Sequence, residues 1–135
     1  IAGPTMKVIK SAVRQASTMG ATPIILSLTV RNEWRDGKVE RGPGQLSKWS
    51  EEVATSQGVL FVDLNNIVGA LYEKLGQEKV KEFFPIDHTH TSAEGANLNA
   101  KSVVSGLKGL RAHPLDGCLS DEGKAVDPYT PEPAK

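Results

Sequence analysis

Two short apolar segments, residues 22–29 and 59–64, constrain the fold of this chain more than any other feature of its sequence. Both are hydrophobic runs that include β-branched residues, a pattern typical of strands buried on both faces of a parallel sheet. Pro23 is compatible with the first strand only because it lies near its beginning. A helical pattern separates the two segments, and another precedes the first. The sequence therefore predicts an α/β fold with parallel strands and right-handed crossovers.

The helices are predicted from apolar residues at spacings of three and four. The first three end at glycines 20, 58 and 76. The predicted helices are residues 4–19, a segment around Leu46, Trp49 and Val53, residues 65–75, a turn or two within 77–84, and residues 92–110. The last helix is expected to turn six side chains toward the core, namely Ala96, Ala100, Val103, Val104, Leu107 and Leu110. Residues 30–44 carry seven charges and are predicted to form a long exposed loop.

Composition narrows the class of protein. A chain of 135 residues can form one domain, and its 16 basic and 16 acidic residues leave no net charge. Because no basic stripe is present, neither nucleic acid nor an anionic membrane surface is an expected partner. The longest apolar run is far too short to span a bilayer. The single cysteine, Cys118, has no partner for an intrachain disulfide.

Two predicted strands are too few for an independent sheet, because sheets usually contain about four to six. We therefore expect residues 1–112 to be the C-terminal part of one larger α/β domain. Its remaining strands would come from elsewhere in the protein or from a second chain. Residues 113–135 contain four prolines and are predicted to form an extended tail that wraps the surface or is partly disordered.

The segment 84–96 carries the most informative group of polar residues. Asp87 lies three residues before His90, and Thr91 with Glu94 is predicted to form a capping box at the start of the last helix. On a tight turn, the carboxylate can bind the histidine ring at Nδ1 and leave Nε2 free to accept a proton. The spacing therefore suggests the base and the orienting acid of a Ser-His-Asp triad.

Alternatives to this interpretation stay open. His88 could serve as the base, although the spacing from Asp87 favours His90. Alternate residues of Asp-His-Thr-His could also bind a metal, but no third histidine or cysteine lies at ligand spacing, so no metal site is predicted. Aspartate, histidine and threonine are in addition common in ordinary loops that precede helices.

The same segment resembles a known family. Phe84-Pro85-Ile86-Asp87-His88-Thr89-His90-Thr91-Ser92, followed by Glu94-Gly95-Ala96, is similar to the last conserved block of the SGNH (GDSL-type) hydrolases. The rhamnogalacturonan acetylesterase branch is the nearest match. Further segments resemble that branch, namely residues 20–27, 31–34 with 36–39, 62–65 and 71–76.

The resemblance implies a fold and an activity. The fold would be a flavodoxin-like three-layer α/β/α sandwich with a parallel sheet, and this chain would be its C-terminal portion. The activity would be hydrolysis of acetyl esters on pectic polysaccharide without a cofactor, with His90 as general base and acid and Asp87 as its orienter. The family's nucleophilic serine lies in an upstream Gly-Asp-Ser block that this chain lacks. Ser27 and Ser92 are not expected to replace it.

Arg31, Asn32 and Trp34 follow the first predicted strand, at the sheet edge where open α/β folds bind ligands. Trp34 could stack on a sugar ring, and Arg31 could pair with a galacturonate carboxylate. Alternatively, Trp34 and Arg31 only anchor the loop.

Three functions are therefore consistent with the sequence. The favoured one is a secreted or periplasmic carbohydrate acetylesterase, of which the chain supplies the Asp-His half of the triad. The second is a general acyl-esterase or lipase with the same machinery. The third is a non-catalytic module of the same fold that binds glycan or a partner protein.

Overall fold

The structure, a computed structural model, describes residues 3–42, 45–112 and 115–131. The described residues fall into two compact units. One comprises residues 3–28 and 45–63, and the other comprises residues 29–42, 64–112 and 115–131. In chain order the elements are α1 (Pro4–Thr18), β1 (Ile24–Leu26), β2 (Trp34–Arg35), β3 (Lys38–Val39), α2 (Gln45–Gln57), β4 (Leu60–Val62), α3 (Leu64–Leu75), α4 (Gln77–Lys81), α5 (Ala93–Lys108), a 3₁₀ turn (Asp116–Cys118) and α6 (Asp121–Lys124).

The first unit contains the predicted parallel strands. β1 pairs with β4 in parallel, with Ile24 opposite Leu60 and Leu26 opposite Val62. The prediction of an α/β fold with a parallel sheet is confirmed. The paired strands are shorter than the apolar runs, since only three residues of each run pair with residues of the other run.

Both strands follow helices that end in the same way. After α1, Gly20 has a φ of 79° and the N–H of Ala21 donates to the carbonyl of Ala16 at 3.0 Å. After α2, Gly58 has a φ of 64° and the N–H of Val59 donates to the carbonyl of Ala54 at 3.0 Å. This is the Schellman arrangement, in which a glycine at positive φ satisfies the last helical carbonyls. It explains why the predicted helix ends agree with the structure.

The core of the first unit lies between the strands and the two helices. Its buried members are Met6, Val13, Ile25, Val53 and Ala54. Trp49, predicted to be a core residue, is only partly buried and packs against the edge of this cluster.

The second unit begins with a hairpin where the sequence predicted only a loop, so that prediction for residues 30–44 is wrong. β2 and β3 pair antiparallel, with Trp34 opposite Val39. Asp36 and Gly37 form the connection and both have positive φ, 49° and 74°. A two-residue Asp-Gly connection with both φ positive is the type I′ turn that joins hairpin strands.

The start and the buried face of α5 also differ from the prediction. Its N-cap is Ser92, whose Oγ accepts the N–H of Gly95 at 3.3 Å, so the predicted capping box of Thr91 is wrong by one residue. The side chain of Glu94 lies 3.6 Å from Lys79 instead.

The buried positions of α5 are small residues, Gly95, Ser102 and Gly106. Ala96 and Ala100 are exposed, contrary to the prediction, while Val103, Val104, Leu107 and Leu110 are half-buried. Small residues face inward because this helix approaches its neighbours closely. A Cβ on Gly95 would lie 2.8 Å from the Cβ of Phe83.

The segment after α5 packs back onto that helix. The hydroxyl of Ser105 donates to the carbonyl of Asp127 at 2.8 Å, and the N–H of Tyr129 donates to the carbonyl of Ser105 at 2.9 Å. Within 115–131 the structure places a 3₁₀ turn and the four-residue α6, and the division of the chain at residue 112 stays a prediction. Cys118 is an exposed free thiol. None of the helices in the described ranges is long and apolar enough to cross a membrane.

Candidate functional site

The segment between α4 and α5 places Asp87 and His90 in direct contact. Oδ1 of Asp87 accepts the backbone N–H groups of Thr89 and His90, each at 2.7 Å. Oδ2 of the same carboxylate lies 2.7 Å from Nδ1 of the His90 ring. One carboxylate therefore closes the turn and binds the ring that leaves it.

Hydrogen bonding to the charged carboxylate keeps it ionised. The backbone N–H of His90, then the His90 ring, then the N–H of Thr89 hold the pKa of Asp87 well below its usual range. An ionised acceptor at Nδ1 favours the tautomer with a proton on that nitrogen, which leaves Nε2 as a hydrogen-bond acceptor. The His90 side chain is 76% exposed, so the ring is accessible from solvent.

Two buried phenylalanines hold the base of this segment. The carbonyl of Phe83 accepts the N–H of Ser92 at 2.7 Å, which joins the two ends of the segment. Phe84 packs edge-on against the ring of Tyr72, with ring centroids 6.0 Å apart. Burial of Tyr72 raises the pKa of its hydroxyl, which donates to Asn99 at 3.2 Å. The exposed polar turn thus stands on an apolar base.

The structure joins one predicted substrate-binding residue, Asn32, to this turn, and a second, Trp34, to Asn32. The backbone N–H of Asn32 donates to the carbonyl of His88 at 2.9 Å. The indole N–H of Trp34 donates to Oδ1 of Asn32 at 2.8 Å and so fixes the half-buried ring. Arg31 is exposed, and within the described ranges no hydrogen bond or ion pair joins its side chain to the turn.

The ring of His88 faces a different partner from the ring of His90. Its Nε2 lies 3.3 Å from the carboxylate of Glu33, whereas the Asp87 carboxylate contacts His90. The choice of His90 over His88 as the partner of Asp87 therefore agrees with the geometry. Glu33 was not predicted as a site residue, because no local sequence signal connects it to a histidine so far along the chain.

The hairpin that carries Trp34 is fixed to α3 by Glu73. This carboxylate accepts the N–H of Val39 and contacts Lys38 and Arg41, each at 3.2 Å. Partial burial by itself raises the pKa of Glu73, but these three interactions outweigh it and the pKa is lowered. The guanidinium of Arg41 lies directly over Gly69, where any Cβ would collide with it.

The two serines considered as nucleophiles have structural roles. Ser27 is buried and its hydroxyl donates to Oδ1 of Asp63 at 3.1 Å. Ser92 caps α5. Among the described residues, no group of three or more histidines, cysteines, aspartates or glutamates is arranged to hold a metal ion.

A solved structure defines the class of the fold. The chain superposes on the Bacillus subtilis protein YxiM with a TM-score of 0.70, at 22% identity, over 76% of this chain and 30% of that chain. At this level of identity the likeness concerns the fold alone. It confirms the predicted fold class, an α/β/α fold with a parallel sheet.

The relatives in sequence are more specific. Over 88 residues the chain is 34% identical to a rhamnogalacturonan acetylesterase of Emericella nidulans, covering 65% of this chain and 36% of that protein. Over 107 residues it is 28% identical to the probable rhamnogalacturonan acetylesterase YesY of Bacillus subtilis, covering 76% of this chain and 49% of that protein. These matches confirm the resemblance to that branch of the SGNH-type hydrolases. The chain spans between about a third and a half of these curated relatives, and no protein-family model matches it.

Proposed function

We propose that this chain supplies the Asp-His half of the triad of a serine-type carbohydrate esterase that removes acetyl groups from a rhamnogalacturonan-like pectic polysaccharide. The observation that carries the proposal is the 2.7 Å contact between the Asp87 carboxylate and Nδ1 of the exposed His90 ring. The two acetylesterase relatives support the reaction class. The nucleophilic serine would come from a segment N-terminal to this one, in the same polypeptide or in a second chain.

In this mechanism His90 moves the proton and Asp87 keeps its charge. Nε2 of His90 takes the proton of the serine hydroxyl as the serine oxygen attacks the acetyl carbonyl carbon. The protonated ring then gives that proton to the sugar oxygen as its bond to the acetyl carbon breaks, which releases the sugar with a free hydroxyl and leaves acetyl-serine. Water, activated by the same nitrogen, hydrolyses the acetyl-serine and releases acetate. The ionised Asp87 stabilises the imidazolium that forms in both halves.

The segment 31–34 would bind the polysaccharide. Trp34 presents a ring whose orientation is fixed by Asn32, and such rings stack on the apolar faces of sugars. The exposed guanidinium of Arg31 would pair with a galacturonate carboxylate as a bidentate donor. Because polymeric pectin lies outside cells, the protein would work as a secreted or periplasmic enzyme.

Acetate release from acetylated rhamnogalacturonan by the complete protein tests the proposal. We expect turnover that His90→Ala abolishes and that His88→Ala reduces far less. Activity on long-chain acyl esters but not on acetylated pectin would favour a lipase. Binding of the polysaccharide without turnover would favour a non-catalytic module.

The isolated 135-residue chain provides a second test. It should show no His90-dependent hydrolysis of an activated acetyl ester, because loss of the nucleophile costs about 10⁶ in kcat in a serine hydrolase. Turnover by this chain alone that disappears in His90→Ala would contradict the proposed division of the triad.

A further inference from the structure

His88 connects the two segments of the candidate site through both its backbone and its side chain. Its carbonyl accepts the N–H of Asn32 at 2.9 Å, and its Nε2 lies 3.3 Å from the carboxylate of Glu33. We call these two contacts, made by Asn32, Glu33 and His88, the His88 clasp. It links the segment that carries Trp34 directly to the turn that carries His90.

Each residue of the clasp lies next to one with a proposed role. His88 is preceded by Asp87 and separated from His90 by a single residue, and its carbonyl belongs to the turn that Asp87 closes. Glu33 directly precedes Trp34, whose indole is bound by Asn32. A shift of the clasp would therefore move the sugar-stacking ring relative to the proton-accepting ring.

The solvent exposure of the Glu33–His88 pair indicates that the pair positions the two segments and contributes little to global stability. The Glu33 and His88 side chains are 44% and 53% exposed, and exposed ion pairs contribute little to global stability. The reaction rate is more sensitive than the stability to such a contact, since a displacement of about 1 Å between reacting groups can cost about 100-fold in rate. The pair can therefore matter for substrate placement without mattering for folding.

We propose that Glu33 is a positioning residue that acts through His88. It holds the 31–34 segment against the Asp87–His90 turn, so that a sugar stacked on Trp34 presents its acetyl ester to His90. This inference rests on the proposed function for its catalytic consequence, but the clasp itself can be tested independently of activity.

The hydrogen-exchange rate of the Asn32 amide reports how stably its N–H is bonded to the His88 carbonyl, and it can be measured without any activity assay. Glu33→Ala should raise this exchange rate about two- to fivefold, the range expected for an exposed pair. Glu33→Gln keeps an acceptor for Nε2–H and should restore most of the protection. Glu40→Ala is the matched control, because Glu40 is a nearby carboxylate that pairs with Arg35 instead.

A double-mutant cycle shows whether Glu33 acts through His88. The backbone carbonyl at position 88 persists in His88→Ala, so both single variants should raise Asn32 exchange equally. The double variant should be no worse than either one. The proposal that Glu33 acts through His88 would be overturned by any of three results. These are single-variant effects that multiply in the double variant, no effect of Glu33→Ala on Asn32 exchange, or an equal effect of Glu40→Ala.

Kinetics of the complete enzyme test the catalytic consequence. Glu33→Ala should lower kcat for acetylated rhamnogalacturonan several-fold more than it raises KM, because the sugar still binds but its ester is displaced from His90, with partial rescue by Glu33→Gln. An effect confined to KM, as on loss of a simple binding contact, would overturn the positioning role. If the wild-type enzyme does not deacetylate the polysaccharide, the proposed function fails, while the exchange experiment still decides the clasp.

Discussion

Asp87 and His90 are joined twice, once through the backbone and once through the ring. Oδ1 of the carboxylate accepts the His90 N–H and Oδ2 meets the ring at Nδ1, both at 2.7 Å. The backbone bond fixes where the His90 Cα lies, and the ring bond fixes the direction in which the imidazole points. A three-residue spacing thus suffices to orient the imidazole ring.

This double contact predicts the effect of removing the charge of Asp87. Asp87→Asn keeps an acceptor for the turn but loses the anion that favours Nδ1–H and stabilises the imidazolium. In the complete enzyme, kcat should fall by about 10⁴, as for the equivalent change in Ser-His-Asp enzymes. Steady-state kinetics would measure it, with circular dichroism to establish that the fold is intact. A loss below tenfold would remove Asp87 from the orienting role.

The lowered pKa of Asp87 predicts how the turn responds to acid. Because its folded pKa lies below the unfolded value of 3.8, the carboxylate contributes its full stabilisation only well above pH 3.8. That contribution declines as the unfolded chain begins to bind the proton near pH 3.8, and it is gone once the pH lies below the folded pKa. The ¹³C shift of the Asp87 carboxyl should therefore stay constant at the acid end of a titration until the pH is well below 3.8. A transition at or above that value would contradict the hydrogen-bonded geometry.

Much of the fold could be predicted because local signals determine it. Gly20 and Gly58 end their helices at positive φ, and the apolar runs after them form the parallel pair. The Asp36-Gly37 turn was equally visible in the sequence, but the charges around it led to the prediction of a loop. The predicted N-cap of α5, Thr91, is one residue away from the observed N-cap, Ser92, because both residue types are good caps.

The candidate site could be predicted only where its residues are close in sequence. Asp87 and His90 are three apart, so their contact followed from spacing alone. The pairing of Glu33 with His88 depends on how two distant segments pack. Which face of α5 is buried was also not predictable, because Ala96 and Gly95 suit a helix interface equally well until the position of Phe83 is known.

The contacts of Glu73 predict a stabilising role for this residue in the hairpin. Glu73→Ala removes acceptors from the Val39 N–H and from Lys38 and Arg41. The free energy of unfolding should fall by about 1 kcal/mol, the net value of a typical hydrogen bond in a partly exposed setting. Urea denaturation measures this as a lower midpoint with an unchanged slope. Glu40→Ala, which removes a half-buried carboxylate from the same hairpin region, should change stability by less than about 0.5 kcal/mol, because its partner Arg35 is exposed. Equal effects of the two variants would contradict the anchoring role.

The close approach of α5 to Phe83 predicts that Gly95 cannot be replaced. An added Cβ would lie 2.8 Å from the Phe83 Cβ and 3.1 Å from the Thr91 Cβ, and neither atom is the end of a flexible side chain. Helix propensity alone would favour Gly95→Ala by about 1 kcal/mol. Overpacking costs about 1–3 kcal/mol, so we expect net destabilisation and a shifted His90 resonance, because the Phe83 carbonyl holds the base of the segment. Gly117→Ala is the control, since a Cβ added there would meet no neighbouring atom within 4 Å and the φ of Gly117 is not positive. A Gly95→Ala variant as stable as the parent would show that α5 does not approach Phe83 this closely.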